Sequence, residues 1–533
     1  MNIRQVMAQL GLLLLVLSGA IFIVALWSGF ELVFASADIA AGERQAFIPL
    51  LLSAGIGCAI GVGLTIPHQL TRRAGQHTAQ IGRREALLLV AMSWLIGAAV
   101  AGLPYFLWAH MTDHDTPAGL SASVVENEHI WQSFADCYFE AMSGLTTTGA
   151  TVLSSIEVIP RSILLWRATT HWLGGLGIVV LFVAVLPSLG VGGKKLFRVE
   201  SPGPTPEGVR PHIRETARIL WFIYCGITLA EILALWFAGM SWFEATCHTF
   251  ATLATGGFST LNASVGGYRS VSVDVIIIVF MLLAGVNFGL YDHLIHRRFK
   301  SFYRDPELRL YLIILAIGSA IVVISLLNTP ITTTTGETLD PSVGSAVRHG
   351  VFTVVSVQTT TGFCTADFNN WPQIAQGTLI LLMFIGASAG STGGGIKVIR
   401  VLIAMKVMVR EIERSFRPSV IRSVKAGHTT VAPELKLATL GYILGVILIF
   451  LAGMFLLLFF ERHHETMSFD TALSASAATL CNIGPGLGLV GAVENYSWFS
   501  MPSKIVMSLL MAVGRLEVFA IVVLLSPRFW RGD

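Results

Sequence analysis

Long apolar runs alternate with short polar or basic segments along nearly the whole chain. About 20 apolar residues are needed to cross ~30 Å of hydrocarbon. Ten runs approach or exceed that length: residues 10–27, 46–66, 86–111, 162–186, 219–240, 271–291, 308–327, an interrupted run over 372–409, 435–460 and 504–525. Four shorter mixed stretches, 131–145, 242–253, 343–357 and 469–480, each lead into a polar, glycine-centred turn. At ~1.5 Å per residue such a stretch reaches roughly half the bilayer. The last eight runs therefore group as span, half-helix, turn, span, four times over. The pattern predicts an all-α polytopic membrane protein of about ten transmembrane helices, with four pseudo-fourfold helix–pore loop–helix repeats around one ion pore. The expected divisions are 1–80 (two leading helices), 81–200, 201–304, 305–425 and 426–533 (repeats one to four).

Aligned on their last glycine, the four turns read Thr147-Thr148-Gly149, Thr255-Gly256-Gly257, Thr360-Thr361-Gly362 and Asn482-Ile483-Gly484. Irregular backbone survives at membrane depth only where it lines water or is buried in protein, so four such turns imply a shared aqueous path. The C-terminal end of each half-helix carries partial negative charge, which favours a cation. Gly149, Gly257, Gly362 and Gly484 can take the positive φ that turns carbonyls toward an axis, and the threonine hydroxyls can brace the strands. The turns hold no ring of Asp or Glu and none of Arg or Lys. Uncharged oxygens suit a weakly hydrated monovalent cation, K⁺ better than Na⁺. The candidate K⁺ ligands are Thr147, Thr148, Thr255, Gly256, Thr360, Thr361, Asn482 and Ile483, with the glycines completing the filter. Glycine-rich helix packing would explain one such turn, but not four at the same offset from a half-helix.

Composition agrees: 54% of the 533 residues are hydrophobic and 13% charged, against about 25% charged in soluble proteins. The net charge of +3 says little, but its placement orients the chain. Arg72, Arg73, Arg83 and Arg84 follow the second run. Lys194, Lys195, Arg198, Arg210, Arg214 and Arg218 follow the first repeat, and Arg297, Arg298, Lys300, Arg304 and Arg309 the second. Arg410, Arg414, Arg417, Arg422 and Lys425 follow the third, and Arg528 and Arg531 the last run. The alternate loops carry Glu31, Asp38, Asp113, Asp115, Glu126, Glu128, Glu337 and Asp340. The positive-inside rule then places both termini in the cytoplasm, with the turns entered from outside. The first apolar run could imitate a signal peptide ending at Ala35-Ser-Ala37, but it exceeds the usual ~7–15-residue core of one and reads as a retained helix. The six cysteines form no CxxC pair and read as free thiols. The Gly/Pro-rich segment 187–211 is either a docking surface or a plain solvated loop.

Further motifs are Trp172-Leu-Gly-Gly-Leu-Gly177, Ser391-Thr-Gly-Gly-Gly-Ile-Lys397 and Gly514-Arg-Leu-Glu517. With Thr146-Thr-Thr-Gly149-Ala-Thr, Ala254-Thr-Gly-Gly257-Phe-Ser-Thr, Thr359-Thr-Thr-Gly362-Phe and Asn482-Ile-Gly484-Pro-Gly-Leu-Gly, they make the chain resemble the Trk/Ktr/HKT superfamily of K⁺ transporters. Within it the chain looks most like the TrkH-type bacterial uptake subunits, over residues from about 80 to 527. The resemblance implies one K⁺ path per chain, a homodimer in the bacterial inner membrane and gating by a cytosolic TrkA-type nucleotide-binding ring. It implies K⁺ as the transported ion, with no organic cofactor here and the nucleotide on the partner. Each strand has one glycine where K⁺ channels have Gly-Tyr-Gly, which implies a shorter filter and more modest K⁺/Na⁺ discrimination. Asn482 and Ile483 depart most from threonine, and Gly256 replaces threonine in the second strand.

The run Gly386-Ala-Ser-Ala-Gly390-Ser-Thr-Gly393-Gly394-Gly395 cannot stay helical, since each Gly is worse than Ala by ~1 kcal/mol. In the family it resembles, this intramembrane loop is the gate, a role carried here to residues 386–395, with Gly390, Gly393, Gly394 and Gly395 as its gate glycines. A phosphate loop does not fit, because Ile396 separates the last glycine from Lys397 and no Ser or Thr follows the lysine. Arg515 lies inside the last apolar run, where a charge costs at least ~2.5–3.5 kcal/mol unless it faces water or a partner. The family-like role is a positive barrier below the filter; the alternative is a structural buried pair. Lys397 is a second candidate to face the pore, and Glu517 is expected to brace a neighbouring helix. Glu140, Glu231, Glu244, Asn287 and His171 read as structural hydrogen-bonding groups, with Glu140 and Glu244 placed to pin the filter. His463-His464 has no metal-ligand context. Neither HExxH nor a nucleophile–His–Asp set is present, which argues against an enzyme, and nothing suggests nucleic acid; membrane lipid is the expected surrounding. The leading expectation is a gated, channel-like K⁺ pore subunit. An H⁺- or Na⁺-coupled K⁺ symporter is the alternative, for which carboxylates would be expected along the turns.

Overall fold

The computed structural model describes residues 2–73, 82–112, 131, 133–175, 177, 213–418, 423–426, 429–516 and 518–531. The expectations for segment 187–211, for the end of the run 162–186, for Glu517 and for Lys194, Lys195, Arg198, Arg210, Arg422, Asp113, Asp115, Glu126 and Glu128 lie outside those residues. Among the described residues helices dominate, with two small hairpins, Ile331–Thr332 with Thr338–Leu339 and Lys425–Ala426 with Thr429–Thr430.

Six described helices are long and apolar enough to cross a membrane: Ile3–Phe34, Ala37–Ile66, Arg84–Met111, Arg218–Phe237, Pro306–Leu326 and Pro433–Phe460. Their outward faces expose large apolar side chains, among them Phe222, Phe237, Ile317, Ile324, Leu448 and Phe455. In water such faces would be a liability; in lipid they are matched to the solvent. The first two form a tight antiparallel hairpin. A Cβ on Gly57 would collide with Ser18, and one on Gly11 would come within 3.0 Å of Leu64, which is the close small-residue packing that membrane helices favour. Buried Glu43 fixes this hairpin to the first repeat, accepting hydrogen bonds from the Ser28 hydroxyl and from the Ser162 N–H at 2.9 Å.

The last four of the six are the outer helices of the repeats. Each precedes a buried pore helix: Phe134–Leu145, Trp242–Leu253, Val343–Gln358 and Phe469–Leu480. All four begin after a serine, Ser133, Ser241, Ser342 and Ser468. In the last three the hydroxyl accepts from a first-turn N–H, as helix N-caps do.

Three inner helices are shorter than the hydropathy pattern predicts, Val271–Ala284, Gln373–Phe384 and Met501–Arg515, while that of the first repeat is described over Arg161–Gly175. A break was expected only in the third repeat. The expected run 271–291 bends by 96° between Ala284 and Phe288, where the Asn287 side chain caps a new helix by accepting from the Gly289 N–H. The expected run 504–525 stops at Arg515, and Val518 at φ 63° closes the end by donating its N–H to the Val513 carbonyl. Apolar residues on both sides of each break hide it from any hydropathy window.

Candidate functional site: four turns around one axis

Each pore helix ends in the same backbone geometry. Thr147, Thr255, Thr360 and Asn482 have φ of 54°, 55°, 59° and 57°, and Gly149, Gly257, Gly362 and Gly484, two residues on, have 82°, 80°, 82° and 97°. The intervening residue donates its N–H five residues back into the helix: Thr148 to Ser143, Gly256 to Ala251, Thr361 to Ser356 and Ile483 to Ala478, all at 2.8 Å. This is a Schellman-type helix end, built here on threonine or asparagine where glycine is usual. It satisfies the helix carbonyls and draws the turn's N–H groups backwards, leaving the turn's own carbonyls over.

The four turns close into a ring. A Cβ built on Gly149 would collide with the Gly256 carbonyl oxygen, one on Gly257 with that of Thr361, and one on Gly362 with that of Ile483. One on Gly484 would lie 2.7 Å from the Thr148 oxygen. Each glycine thus makes room for the carbonyl of the residue before the next strand's glycine, and the fourth strand returns to the first. No described residue donates a hydrogen bond to the carbonyls of Thr147, Thr148, Thr255, Gly256, Thr360, Thr361, Asn482 or Ile483. All eight residues are buried, and buried carbonyls left unpaired are unfavourable unless something polar or cationic meets them. A funnel lined by Thr151, Phe258, Asn262, Cys364, Pro485 and Glu494 leads to the four glycines.

Side chains brace the ring from behind. The Thr148 and Thr361 hydroxyls each pair with a neighbour, Thr146 and Thr359, at 2.8 Å. In the fourth strand the Asn482 amide donates to the Thr148 hydroxyl and to the Met511 carbonyl, both at 3.0 Å. The strand that looked weakest is therefore tied laterally to the first, and asparagine tolerates the left-handed conformation well. Gly256 has its own explanation: a Cβ there would lie 2.5 Å from the His171 ring. His171 bridges strands one and two, with Nδ1 2.8 Å from the Gly144 carbonyl and Nε2 accepting from the Phe258 N–H at 3.2 Å. Glu140 pairs with Arg167 at 2.8 Å and accepts from the Val152 N–H at 3.0 Å, holding the chain just past the first turn. Glu244 does not reach the ring. It forms a capping box with Ser241 at the far end of its pore helix, because a residue in the first helical turn lies a helix length from the C-terminal turn. Missed by sequence reasoning was Tyr496, whose hydroxyl donates to the Gly484 carbonyl at 2.7 Å and whose N–H donates to Thr151 at 2.8 Å. Nothing in the spacing marks it.

Against the helix-end side of the ring lies the glycine loop between Phe384 and Val398. The Gly394 N–H donates to the Thr360 hydroxyl at 2.7 Å, a Cβ on Gly393 would lie 3.1 Å from the Thr359 carbonyl, and one on Gly394 3.1 Å from Asn482 Cβ. Gly390 and Gly395 have φ of 73° and 64°. The loop is stitched to the broken second inner helix by Ser388 N–H to the Gly285 carbonyl and Phe288 N–H to the Gly390 carbonyl, both at 3.0 Å. Lys397 turns its ammonium back onto the Gly393 carbonyl of its own loop. Arg515 reaches from the fourth repeat to the first and third, donating to the carbonyls of Gly174, Gly175 at 2.9 Å and Thr392 at 2.7 Å. Gly174 packs directly under Leu145 and Thr147, so the guanidinium bridges two opposite repeats next to the ring.

Repeated re-entrant turns meeting around one axis, in an all-helical chain with lipid-suited faces, define a pore-loop type of integral membrane protein. Comparison with known proteins narrows the class. Residues 116–531 match the TrkH family, described as cation transport protein. "Trk system potassium uptake protein TrkH" of Halomonas elongata is 37% identical, and that of Escherichia coli K12 36%, each covering all of both chains. The crystal structure of the potassium transporter TrkH from Vibrio parahaemolyticus superposes with a TM-score of 0.80 at 31% identity, covering all of both chains. The chain belongs to the TrkH family of membrane transport proteins.

Proposed function

We propose that this chain is the K⁺-translocating pore subunit of a Trk-type potassium uptake system. The observation that carries the proposal is the closed ring of turns whose eight buried carbonyls accept no hydrogen bond from any described residue. Neutral oxygens at the negative ends of four pore helices favour a monovalent cation that sheds its water easily, and the relatives' names specify potassium uptake. K⁺ enters from the funnel, exchanges water for the carbonyls of Thr147, Thr148, Thr255, Gly256, Thr360, Thr361, Asn482 and Ile483, and meets the 386–395 loop and Arg515 beyond them. There the loop occludes the path and the guanidinium repels the ion. Opening requires the loop to withdraw and Arg515 to leave the carbonyls of Gly174, Gly175 and Thr392.

Channel-like conduction is favoured over H⁺ or Na⁺ coupling because the four turns carry no carboxylate. The subunit sits in the inner membrane with both termini cytoplasmic, acts as a homodimer and takes its opening signal from a cytosolic TrkA-type nucleotide-binding ring. Reconstitution into K⁺-loaded liposomes tests the reading. Flux that follows only the K⁺ gradient supports a channel; flux that shifts with a pH or Na⁺ gradient at fixed K⁺ overturns it in favour of a coupled carrier.

A further inference from the structure

Backbone bonds pair the two ends of the loop, Gly386 N–H with the Ile396 carbonyl at 3.1 Å and Ile396 N–H with the Phe384 carbonyl at 3.0 Å. At its apex the loop meets the ring through a neutral bond, Gly394 N–H to the Thr360 hydroxyl. At its feet it meets a carboxyl group. Glu307 Oε1 accepts from the Ala389 N–H at 2.7 Å and from the Ile399 N–H at 3.1 Å. One oxygen thus ties the chain entering the loop to the chain leaving it. Glu307 lies in the first turn of the outer helix Pro306–Leu326 and is 7% exposed. Tyr311, one turn on, reaches the Leu282 carbonyl of the second inner helix at 3.5 Å, so this helix holds both the loop and the broken end that the loop is stitched to.

The need for such an acceptor is built into the sequence. The helix Val398–Phe416 starts after Lys397, whose side chain caps none of the first-turn N–H groups. A lysine cannot accept, and its charge opposes the positive end of the helix. Glu307 supplies from another helix the negative oxygen that the local sequence lacks.

We infer that Glu307 is the positioning residue of the gate: it pins Ala389 to Ile399, continuing the backbone pairing of Phe384, Gly386 and Ala387 with Ile396 and Val398, so that the loop moves as one flap, and it sets the resting preference for the closed position. The inference rests on the gate reading above. Its test compares the full-length protein, Glu307→Ala, Glu307→Gln, Glu307→Asp and a variant with the loop shortened within 390–394, in K⁺-loaded liposomes without any regulatory partner. Glu307→Ala is expected to raise basal K⁺ flux about tenfold, which corresponds to ~1.4 kcal/mol of lost closed-state preference. Glu307→Gln keeps a carbonyl oxygen at the same reach and is expected to stay within about threefold of the parent, a difference under ~1 kcal/mol. Glu307→Asp is one methylene short and is expected to leak like Glu307→Ala. Hydrogen exchange supplies a readout independent of flux: faster exchange in Glu307→Ala should be confined to 386–400, and uniform acceleration across the helices would overturn the positioning role.

If the shortened loop raises flux and Glu307→Ala leaves it at the parental level, the Glu307 assignment fails while the gate stands. If the shortened loop leaves flux unchanged, the gate reading fails and this inference with it. Should Glu307→Ala not fold, the pair Glu307→Asp and Glu307→Gln decides, and equal flux in these two overturns the proposal.

Discussion

Gly362→Ser isolates what the ring geometry does. Gly362 has φ 82°, and a Cβ there would collide with the Ile483 carbonyl oxygen and lie 2.9 Å from Pro485 Cδ. Two penalties follow. Holding an L-residue in the left-handed region is unfavourable by roughly 1–2 kcal/mol, and the Ile483 carbonyl must leave its place in the ring. Gly336 separates the two: it also has φ 82°, yet nothing lies within 4 Å of a Cβ built on it. Gly336→Ser therefore carries the backbone strain alone. Losing one well-placed polar contact is worth on the order of 1–3 kcal/mol, and each ~1.4 kcal/mol of difference between ions is tenfold in discrimination. Gly362→Ser should lower the K⁺-over-Na⁺ permeability ratio about fivefold or more, while Gly336→Ser keeps the parental ratio. The assay is the reversal potential, or paired K⁺ and Na⁺ fluxes, in liposomes of each variant. A folded Gly362→Ser protein with the parental ratio would refute the ring as the selectivity element, and an equal loss in Gly336→Ser would assign the effect to backbone strain.

Three further outcomes are expected. Arg515→Ala removes the bonds to Gly174, Gly175 and Thr392 and should raise basal K⁺ flux about tenfold or more; Arg515→Lys, which keeps the charge but not the fork of donors, should fall between, and parental flux in both removes Arg515 from the barrier. Gly256→Thr should lower the thermal unfolding midpoint because the His171 ring fills that space; His171→Ala added to it should restore part of the loss, with a coupling of about 1 kcal/mol or more in the double-mutant cycle, and strict additivity would refute the packing account. Glu140→Gln leaves Arg167 buried beside an uncharged partner, and breaking such pairs destabilises by about 3–5 kcal/mol; an unchanged melting temperature would show that the pair is dispensable.

The outer helices and pore helices were legible because hydropathy and length report directly on burial in lipid. The break at Phe384 was legible because Gly386 to Gly395 cannot be helical. The breaks at Ala284 and Arg515 were not, since Val286, Phe288, Leu516 and Val518 keep the local pattern apolar. Those helices end through backbone geometry, a capping Asn287 and a left-handed Val518, which no apolar window records. Side-chain roles divided the same way. Arg515 stood out as a charge and His171 as a polar group among apolar residues, whereas Tyr496 and Glu307 act on backbone groups 12 and 82 residues away in the chain, and such pairings exist only once the helices are packed.

The ring is uniform in backbone and uneven in side chains, and the reason lies in which atoms make it. Each carbonyl packs against the glycine of the neighbouring strand, so each position needs only the right φ and room behind it. Asparagine meets the first requirement as well as threonine does, and glycine meets the second where His171 occupies the space. What varies is how each strand is fixed: Thr148 and Thr361 by hydroxyl pairs, the second strand by an imidazole, the fourth by the Asn482 amide and Tyr496. A β-branched threonine at positive φ is strained, and three such residues persist here because the Schellman bonds and these lateral ties over-determine the turn. Glycine in their place would relieve that strain and soften the ring. On the proposed function the ring discriminates ions by the placement of dipoles and needs those dipoles held, so the strain at Thr147, Thr255 and Thr360 accompanies stiffness, and the sequence is free to change wherever a different side chain supplies the same hold.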